Sequence, residues 1–461
     1  MTFCEPDNPF YLWNTYKAFM IEDFIQRSVP LRIAEQAALC QVEKIINQSN
    51  RKRPLFNVNQ LNVCNTIFAA LNEQPSIENQ HSRLFFIDGP AGSGKTFTYN
   101  YLIAETSSRG IKSAKAAWTS IAATLITNGS TLHGLFKLPV PILDNNTCNV
   151  TPNSIHGHFL SQVILFLLDE SSMIPKFALN TIDRLLKDVC NINFLFGGKV
   201  ILFGGDFRQI LPVVKRGQPA EVVEACIKCS LHWQWVQKFK LTENMKVQDG
   251  EKEISIWLEN DSIVEKIFGD AEQNNYAKRV ILTPTNVDSL SISEEVLQRL
   301  PGEVKTYLSA NQVETDKLNE RNNFPVEFLN SLIPSGMPSH TFKFKICCII
   351  MLFRNLDLKA GIYNGTRMKV CALQNNYIDA EVLTGVSAGK RVFVSRIHLA
   401  PSDSSLPFVL KRRQFLVRLA YSMTINKSQG QTFDRVGVYL KKPCLTHGQL
   451  YVACSRTRAF S

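Results

Sequence analysis

Residues 85–96 read Phe-Phe-Ile-Asp-Gly-Pro-Ala-Gly-Ser-Gly-Lys-Thr, and they carry the strongest local signal in the sequence. Gly89 and the run Gly94-Lys95-Thr96 match the G-x-x-x-x-G-K-[ST] spacing of a phosphate-binding loop. The apolar residues 84–87 before it predict a buried strand, and residues 97–107 after it contain few helix breakers. A glycine-rich turn that matched by chance would lack this strand, loop and helix context. The stretch therefore predicts a nucleoside triphosphate site.

The loop also predicts how the polyphosphate is held. Its backbone N–H groups and the positive end of the next helix would face the phosphates. The Lys95 ammonium would reach the β- and γ-phosphates, and the Thr96 hydroxyl would be a ligand of Mg²⁺. The predicted nucleotide-binding residues of the loop are Gly89, Pro90, Ala91, Gly92, Ser93, Gly94, Lys95 and Thr96.

Composition narrows the class of protein and its partners. The 461 residues carry a net charge of +11, from 51 basic and 40 acidic side chains, which suits a polyanionic partner. No apolar run is long enough to span a bilayer, and the first residues lack the pattern of a secretory signal. We therefore expect no membrane partner and an intracellular, reducing location.

The twelve cysteines follow no disulfide framework. Cys226 and Cys229 form a C-x-x-C that could bind zinc, but no second pair lies at the spacing of a zinc finger. The favoured interpretation is buried thiols on an amphipathic helix over 221–235.

Strands and helices alternate between residues 55 and 241, which predicts a parallel sheet covered on both faces. The predicted strands are 82–87, 112–118, 163–168 and 199–203, and the predicted helices are 97–107, 120–127 and 175–188. Residues 1–54 are predicted to form a separate helix-rich segment.

A second α/β block follows the first. It begins with a predicted strand at 279–282 and a helix at 286–300, and it resumes at 415–421, 436–440 and 447–454. Between these parts, the short β-branched runs 366–373, 377–383 and 390–397 predict a small antiparallel barrel. The predicted fold class is α/β, with two parallel-sheet domains and a small β-barrel-like insertion in the second.

Two further motifs follow predicted strands. Asp169-Glu170 follows the apolar run 163–168, which suits Mg²⁺-dependent hydrolysis: Asp169 would hold the metal through water, and Glu170 would deprotonate the attacking water. Gln209 lies just beyond the strand 199–203, where it would sense the γ-phosphate or form part of a polar turn.

This set of motifs resembles the Pif-type (petite integration frequency) DNA helicases of superfamily one, and most of all the helicase region of Helitron-type transposons. The matching stretches occur in family order at 56–60, 89–96, 119–139, 168–173, 205–212, 363–367, 420–432 and 447–456.

The resemblance implies two RecA-like domains with ATP and Mg²⁺ in the cleft between them. The first would span 55–242, the second 243–360 and 413–461, and the insertion 361–412. Gln60 would read the adenine edge, and Gln209, Gln429 and Arg456 would face the phosphates. The implied catalytic residues are Lys95, Glu170, Gln209 and Arg456.

The resemblance also implies single-stranded DNA and DNA junctions as partners of a monomer. The implied DNA contacts are Thr119, Ser120, Thr131 and His133 in the first domain, and Asn364, Thr424 and Lys427 in the second. Phe136 or Tyr363 would stack on a base, although the apolar run around Phe136 favours core packing. The implied activity is ATP-driven 5′-to-3′ translocation and unwinding in repair, recombination or telomere maintenance, in the nucleus or the mitochondrion.

The sequence departs from the family pattern at three places. Lys246, a further implied nucleotide-binding residue, stands where the family usually places an arginine that points at the γ-phosphate. The region 257–263 is shorter than expected, and relatives continue with a strand beyond Ser461. A catalytically impaired, transposon-derived remnant that binds DNA and nucleotide without productive unwinding is therefore the alternative. A small-molecule kinase or an unrelated P-loop ATPase is a third hypothesis, but a kinase would not need the motifs between Gln429 and Arg456.

Overall fold

The computed structural model describes residues 56–126, 129–214, 217–243, 262–269, 273–314, 324–332, 337–357, 361–384, 387–401, 408–441 and 446–456. The predicted segment 1–54, Lys246 and most of the short region 257–263 lie outside these residues. The chain divides into two units, residues 1–61 and 62–461, and every sheet belongs to the second unit.

Six parallel strands form the first sheet. They are β1 (Leu84–Asp88), β2 (Ser113–Ala117), β3 (Ser130–Thr131), β4 (Leu165–Asp169), β5 (Val200–Gly205) and β6 (Gln237–Lys240). Their order is β3-β2-β4-β5-β1-β6, with Leu84 opposite Ile201 and Phe85 opposite Gln237. The strands end at one edge, which brings the residues after β1, β4 and β5 together. The four predicted strands of this block are confirmed, with ends shifted by one or two residues.

Seven helices accompany this sheet in the described part of the chain. They are α1 (Val58–Asn72), α2 (Lys95–Ser108), α3 (Ser120–Leu125), α4 (Leu132–Phe136), α5 (Ile155–Gln162), α6 (Lys176–Cys190) and α7 (Pro219–Ala225). Short 3-10 helices cover Gln80–Arg83, Ser171–Met173, Leu195–Gly198, Ile227–Cys229 and Leu231–Trp235. On one side of the sheet, α6 packs Leu179, Ile182 and Leu186 into the same core cluster as Phe136 and Phe166.

The predicted continuous helix over 221–235 is wrong. Cys226 and Ser230 have extended backbone angles, and the Ser230 side chain accepts a hydrogen bond from the His232 N–H, which starts a new turn. Cys226 is buried and Cys229 is exposed. Within the described ranges, no group of three or more histidine, cysteine or acidic side chains is placed to hold a metal ion.

A second, smaller parallel sheet contains β7 (Arg279–Thr283), β18 (Ser422–Thr424) and β19 (Arg435–Val438), with β7 in the centre. The helices α8 (Ile263–Phe268), α9 (Asn286–Arg299) and α11 (Gln449–Cys454) belong to this part of the chain, and 3-10 helices cover Gln273–Lys278 and Ile425–Ser428. The predicted elements at 279–282, 286–300, 436–440 and 447–454 are confirmed within two residues at each end.

Antiparallel sheets account for the other strands that the structure describes. The largest contains β11 (Ile349–Leu352), β12 (Arg367–Leu373), β13 (Tyr377–Val382), β14 (Arg391–Ser395) and β17 (Val417–Leu419), in the order β14-β13-β12-β11-β17. A second joins β9 (Ala310–Glu314), β15 (Ile397–Leu399) and β16 (Val409–Gln414), and a third pairs β8 (Lys305–Leu308) with β10 (Thr341–Phe344). The helix α10 (Val326–Ser331) lies between β9 and β10 in the chain. The three short predicted strands of the insertion are confirmed as β12, β13 and β14.

The predicted strand 415–421 is wrong as a single element, because the run supplies β17 to the antiparallel sheet and leads into β18 of the parallel sheet. The predicted α/β class, with two parallel sheets and an antiparallel part, is confirmed. None of the described helices is long and apolar enough to cross a membrane.

Candidate functional site

The loop between β1 and α2 is shaped by its glycines. Gly92 and Gly94 have φ angles of 89° and 83°, in the left-handed region that favours glycine. A Cβ atom at Gly89 would lie 2.4 Å from the Ser93 Oγ. The buried Ser93 hydroxyl donates to the Pro90 carbonyl oxygen over 2.9 Å, so the loop is tied to itself.

Lys95 begins α2 and its ammonium turns back over the loop. The Lys95 Nζ donates to the carbonyl oxygens of Gly89 and, at 3.1 Å, Pro90. Burial lowers the pKa of Lys95, and the carboxylates of Asp169, Asp206 and Asp88 oppose that shift. The structure therefore places a cation among carboxylates at the edge where the strands end.

Asp169 ends β4 and is held by a residue that the sequence analysis missed. The hydroxyl of the buried Tyr99, on α2, donates to the Asp169 Oδ1 over 3.2 Å. Burial raises the pKa of Asp169, and Lys95 opposes this. Gly204 completes the contact, because a Cβ atom there would lie 1.5 Å from the Tyr99 hydroxyl oxygen. The only signal in the sequence was a tyrosine one helical turn after Lys95.

Glu170 follows with a left-handed backbone, at φ 53°. Its Oε2 accepts two hydrogen bonds from Thr119, one from the backbone N–H at 3.2 Å and one from the hydroxyl at 2.5 Å. Burial raises the pKa of Glu170 to about 7; the Thr119 hydroxyl lowers it and the Asp169 charge adds to the rise. A carboxyl group with a pKa near neutrality is suited to act as a general base.

The turn after β5 is organised by Asp206, a second residue that the sequence analysis did not single out. The buried Asp206 carboxylate accepts hydrogen bonds from the Arg208 Nε at 2.7 Å and the Gln209 Nε2 at 3.4 Å. It also accepts one at 2.8 Å from the hydroxyl of Tyr451 on α11. This turn therefore contacts the part of the chain that carries the second parallel sheet.

Gln429 contacts the same turn from the second sheet. The Gln429 Nε2 donates to the Gln209 Oε1 over 3.1 Å, and the Gln429 Oε1 is buried without a partner in the described part of the chain. A Cβ atom at Gly448 would lie 2.4 Å from the Gln209 carbonyl oxygen. Gln209 and Gln429, which were each predicted to face the phosphates, thus contact each other between the two halves of the chain.

Arg456 is buried at the end of α11 and held by its own domain. Its guanidinium donates to the Val452 carbonyl oxygen at 3.0 Å, the Gln431 carbonyl oxygen at 3.3 Å and the Ser455 Oγ at 2.8 Å. Burial lowers the pKa of Arg456, and the charge of Glu170 opposes that shift. Arg456 thus lies within electrostatic range of Glu170.

The remaining predicted nucleotide residues are placed as follows. Gln60 is a buried residue in the first turn of α1, where its side chain and the Asn57 side chain exchange hydrogen bonds with each other's backbone N–H groups at 3.1 and 2.9 Å. Thr96 lies in the first turn of α2 and is half-buried. Lys246 lies outside the described residues.

The predicted DNA contacts of the first domain fall into two pairs. Thr119 and Ser120 stand together at the start of α3. Thr131 is buried and caps α4 by accepting from the Gly134 N–H at 3.1 Å, and the His133 ring packs 4.9 Å from that of Trp118. Thr119 is thus hydrogen-bonded to Glu170 and Ser120 to Asn355, whereas Thr131 and His133 take part in local capping and packing.

The predicted DNA contacts of the second domain approach the first domain near Asn355. The exposed Asn355 Oδ1 accepts from the Asn364 N–H at 2.9 Å and from the Ser120 hydroxyl at 3.0 Å. Tyr363 is buried and its hydroxyl accepts from the Thr124 hydroxyl at 2.8 Å. Phe136 is also buried, which confirms core packing for that residue. Thr424 ends β18 beside Thr283.

Lys427 belongs to a cationic cluster that the sequence analysis missed in part, formed with Arg418, Phe353 and Asn286. The Lys427 Nζ and the Arg418 guanidinium carbon lie 3.8 and 4.8 Å from the centre of the Phe353 ring. The Arg418 Nη1 donates to the Asn286 Oδ1 at 3.2 Å, whereas its Nε and Nη2 are buried without partners in the described ranges. Burial lowers the pKa of Lys427 to about 7, and Arg418 adds to this. Buried cations that lack a carboxylate partner favour an anionic ligand.

Comparison with known protein families gives two matches. A model of the PIF1-like helicase family matches residues 56–265, and a model of the 2B domain of DNA helicase Pif1 matches residues 327–373. Together the two matches take in more than half of the chain.

Curated relatives agree with these matches. The chain is 26% identical over 429 residues to the ATP-dependent DNA helicase Pif1 of Psychrobacter sp. (strain PRwf-1), covering 81% of this chain and 64% of that one. It is 25% identical over 393 residues to the human ATP-dependent DNA helicase PIF1, covering 81% of this chain and 57% of that one. The chain therefore spans about three fifths of the length of these relatives.

A solved structure shows the same fold. The Pif1 helicase from Bacteroides in complex with ADP-AlF3 and single-stranded DNA superposes with a TM-score of 0.60 at 24% identity. The superposition covers 86% of this chain and 90% of the Bacteroides chain.

Proposed function

Because the chain belongs to the Pif1-like helicase family, we propose that it is an ATP-dependent DNA helicase that couples ATP hydrolysis to movement along single-stranded DNA and to duplex unwinding. The observation that carries this proposal is the contact of Gln209 with Gln429 at 3.1 Å. It joins the half of the chain that holds the phosphate loop to the half that holds Arg456. A nucleotide site that two domains share can convert hydrolysis into domain movement.

Each group near the loop has a distinct proposed role. Lys95 would move from the loop carbonyls to the β- and γ-phosphates, while Glu170 would take the proton of the attacking water. Arg456 would stabilise negative charge on the transferring phosphoryl group, since a guanidinium meets phosphate oxygens in pairs. Gln209 and Gln429 would sense the γ-phosphate from opposite sides.

The donor set at the start of α2 and the end of β4 fits Mg²⁺. The Thr96 hydroxyl and the Asp169 carboxylate are hard oxygen ligands, and burial of Asp169 favours a nearby positive charge. Bound Mg²⁺ would neutralise charge on the phosphates. Thr96 and Asp169 are the residues that would hold it.

Single-stranded DNA would cross both domains near Asn355, where Ser120 and Asn364 meet, and reach the cationic cluster around Lys427. The resemblance supports 5′-to-3′ movement by a monomer, junction substrates, a Helitron-type origin and roles in repair, recombination or telomere maintenance. A DNA substrate supports a nuclear location first and a mitochondrial one second.

The remnant hypothesis rests on Lys246 and on the region 257–263, which lie almost wholly outside the described residues. The proposed catalytic residues favour the active enzyme, because all four are present in the described part of the chain. Lys95 and Gln209 both interact with Asp206, and Arg456 lies within electrostatic range of Glu170.

Strand displacement tests the proposal directly. A duplex with a 5′ single-stranded tail should be unwound with ATP and Mg²⁺, whereas a duplex with a 3′ tail should not. Glu170→Gln should reduce the rate by about 10²- to 10⁴-fold, because it removes the general base while keeping the shape of the side chain. Tight binding of the tail without unwinding or ATP turnover would support the remnant instead.

A further inference from the structure

Thr119 binds one of the two oxygens of the Glu170 carboxylate with both of its hydrogen-bond donors. Both donors of Thr119, the backbone N–H and the hydroxyl, are directed at the same oxygen, Oε2. A carboxylate oxygen that accepts two such bonds is fixed in orientation and is a weaker proton acceptor than a free one.

The orientation that Thr119 imposes is toward α3 and the second domain. A Cβ atom at Gly430 would lie 3.8 Å from the other oxygen of Glu170, Oε1. The neighbouring Asp169 is held differently, by the Tyr99 hydroxyl on α2. One oxygen of Glu170 is thus held by Thr119 at the start of α3, and the other lies close to a loop of the second domain.

Thr119 is also adjacent to the place where both domains approach DNA. The next residue, Ser120, donates to the Asn355 Oδ1 at 3.0 Å, and Asn355 accepts from the Asn364 N–H at 2.9 Å. Asn355 is exposed, so a DNA phosphate can compete for these donors. Movement of the Ser120 backbone carries Thr119 with it, because the two residues share a peptide bond.

We propose that Thr119 is a positioning residue that fixes the Glu170 carboxylate against α3 until single-stranded DNA takes the donors at the start of α3. This inference rests on the proposed function and adds its regulation: DNA speeds ATP hydrolysis by releasing Glu170. In the free protein the Thr119 hydroxyl restrains the base, and in the DNA complex a phosphate oxygen accepts from it instead.

The test compares kcat for ATP with and without oligo-dT in the full chain. Thr119→Val removes the hydroxyl at nearly equal volume, so the DNA-free kcat should rise by about tenfold, a fraction of the 10²- to 10⁴-fold that a general base contributes. The ratio of DNA-stimulated to DNA-free kcat should fall by the same factor, with the KM for ATP unchanged. Thr119→Ser, which keeps the hydroxyl, should restore the wild-type ratio.

A matched control lies on the same helix. Thr124 donates to the Ile121 carbonyl oxygen and the Tyr363 hydroxyl rather than to Glu170, so Thr124→Val should leave the ratio as in the wild type. The Thr119 side chain also caps α3, because it accepts a hydrogen bond from the Ala122 N–H at 3.3 Å. Two further variants, Thr119→Asp and Thr119→Asn, control for loss of this cap. Asp and Asn both cap helices, but only Asn can donate to Glu170. Thr119→Asp should therefore raise the DNA-free kcat, and Thr119→Asn should not.

The outcomes separate this inference from the proposed function. A wild type that hydrolyses ATP equally with and without oligo-dT contradicts the DNA-coupled function, yet a higher DNA-free kcat in Thr119→Val or Thr119→Asp would still support the restraint. An unchanged DNA-free kcat in both variants would overturn the restraint. A kcat lowered equally with and without DNA would also overturn it, because Thr119 would then hold Glu170 in its working position.

Discussion

Gly204 and Tyr99 show how closely the residues behind the phosphate loop are packed. A Cβ atom at Gly204 would lie 1.5 Å from the Tyr99 hydroxyl oxygen and 2.6 Å from the Tyr99 Cζ. Gly204→Ala should therefore destabilise the protein by about 1–3 kcal/mol through overpacking, seen as a lower midpoint of thermal unfolding.

The double variant Gly204→Ala/Tyr99→Leu provides the control for this prediction. Leucine lacks the two tyrosine atoms that the new methyl group would meet. Gly204→Ala should therefore lower the midpoint of thermal unfolding less in the Tyr99→Leu background than in the wild type. If the double variant instead loses the sum of the two single losses, the methyl group is accommodated elsewhere.

Lys427 predicts a pH dependence of DNA binding. Burial and Arg418 lower the pKa of Lys427 to about 7, so its ammonium is charged below that pH and neutral above it. Only the charged form attracts a phosphate. The dissociation constant for oligo-dT should therefore increase as the pH is raised from 6 to 8.5, by up to about tenfold per pH unit for one proton.

Lys427→Arg is the matched control for that titration, because arginine stays charged throughout this range. Its dissociation constant should change less with pH than that of the wild type in a fluorescence anisotropy titration. Parallel curves for the two proteins would mean that Lys427 does not titrate in contact with DNA.

Single residues also show where sequence reasoning reaches its limit. The loop from Gly89 to Thr96 could be predicted because its backbone chemistry is encoded in local spacing. The roles of Tyr99 and Arg418 could not, because each depends on a partner from another element, Asp169 at the end of β4 or Lys427 in the 3-10 helix Ile425–Ser428, that only the fold brings near.

The helix α3 is the element that packs the first domain against the loops of the second. Its Ile121 side chain lies where Cβ atoms at Gly365 and Gly430 would approach it to 2.7 and 2.9 Å. Both glycines have positive φ angles, 95° and 77°. The two loops can therefore approach α3 only if these positions lack side chains.

Gly430→Ala should weaken this packing in two ways, through backbone strain and through contact with Ile121. Gly110→Ala isolates the strain, because Gly110 has a φ of 69° and nothing lies within 4 Å of its Cβ position. Gly430→Ala should lower the midpoint of thermal unfolding more than Gly110→Ala does, and Ile121→Ala in the same chain should remove the difference. Equal effects of the two glycine variants would mean that α3 does not depend on this contact.

The ends of a strand could be predicted from the sequence where one apolar run belongs to a single sheet. The strands β1, β4 and β5 are continuous buried runs, which is typical of a parallel sheet with both faces covered. The run 415–421 serves two sheets, and the point at which the chain passes from one to the other depends on strand pairing rather than on periodicity. The segment 221–235 breaks at Ser230 because its side chain caps a new turn.

In the molecule as a whole, the two α/β halves of the chain meet at a cleft. Gln209 and Gln429 touch across it, Tyr451 reaches Asp206, and the charges of Glu170 and Arg456 influence each other. The family resemblance predicted only that Gln209, Gln429 and Arg456 face the phosphates of ATP in a cleft between two domains. Their geometry, including the bond of Thr119 to Glu170, could not be predicted, because it depends on how the halves meet.

Steady-state ATP hydrolysis with and without single-stranded DNA tests whether the two halves of the chain form one DNA-coupled ATPase. The wild type should hydrolyse ATP much faster with saturating oligo-dT than without it, and Glu170→Gln should hydrolyse it slowly in both conditions while still binding DNA. A wild-type rate that stays at the level of Glu170→Gln with DNA bound would contradict the account.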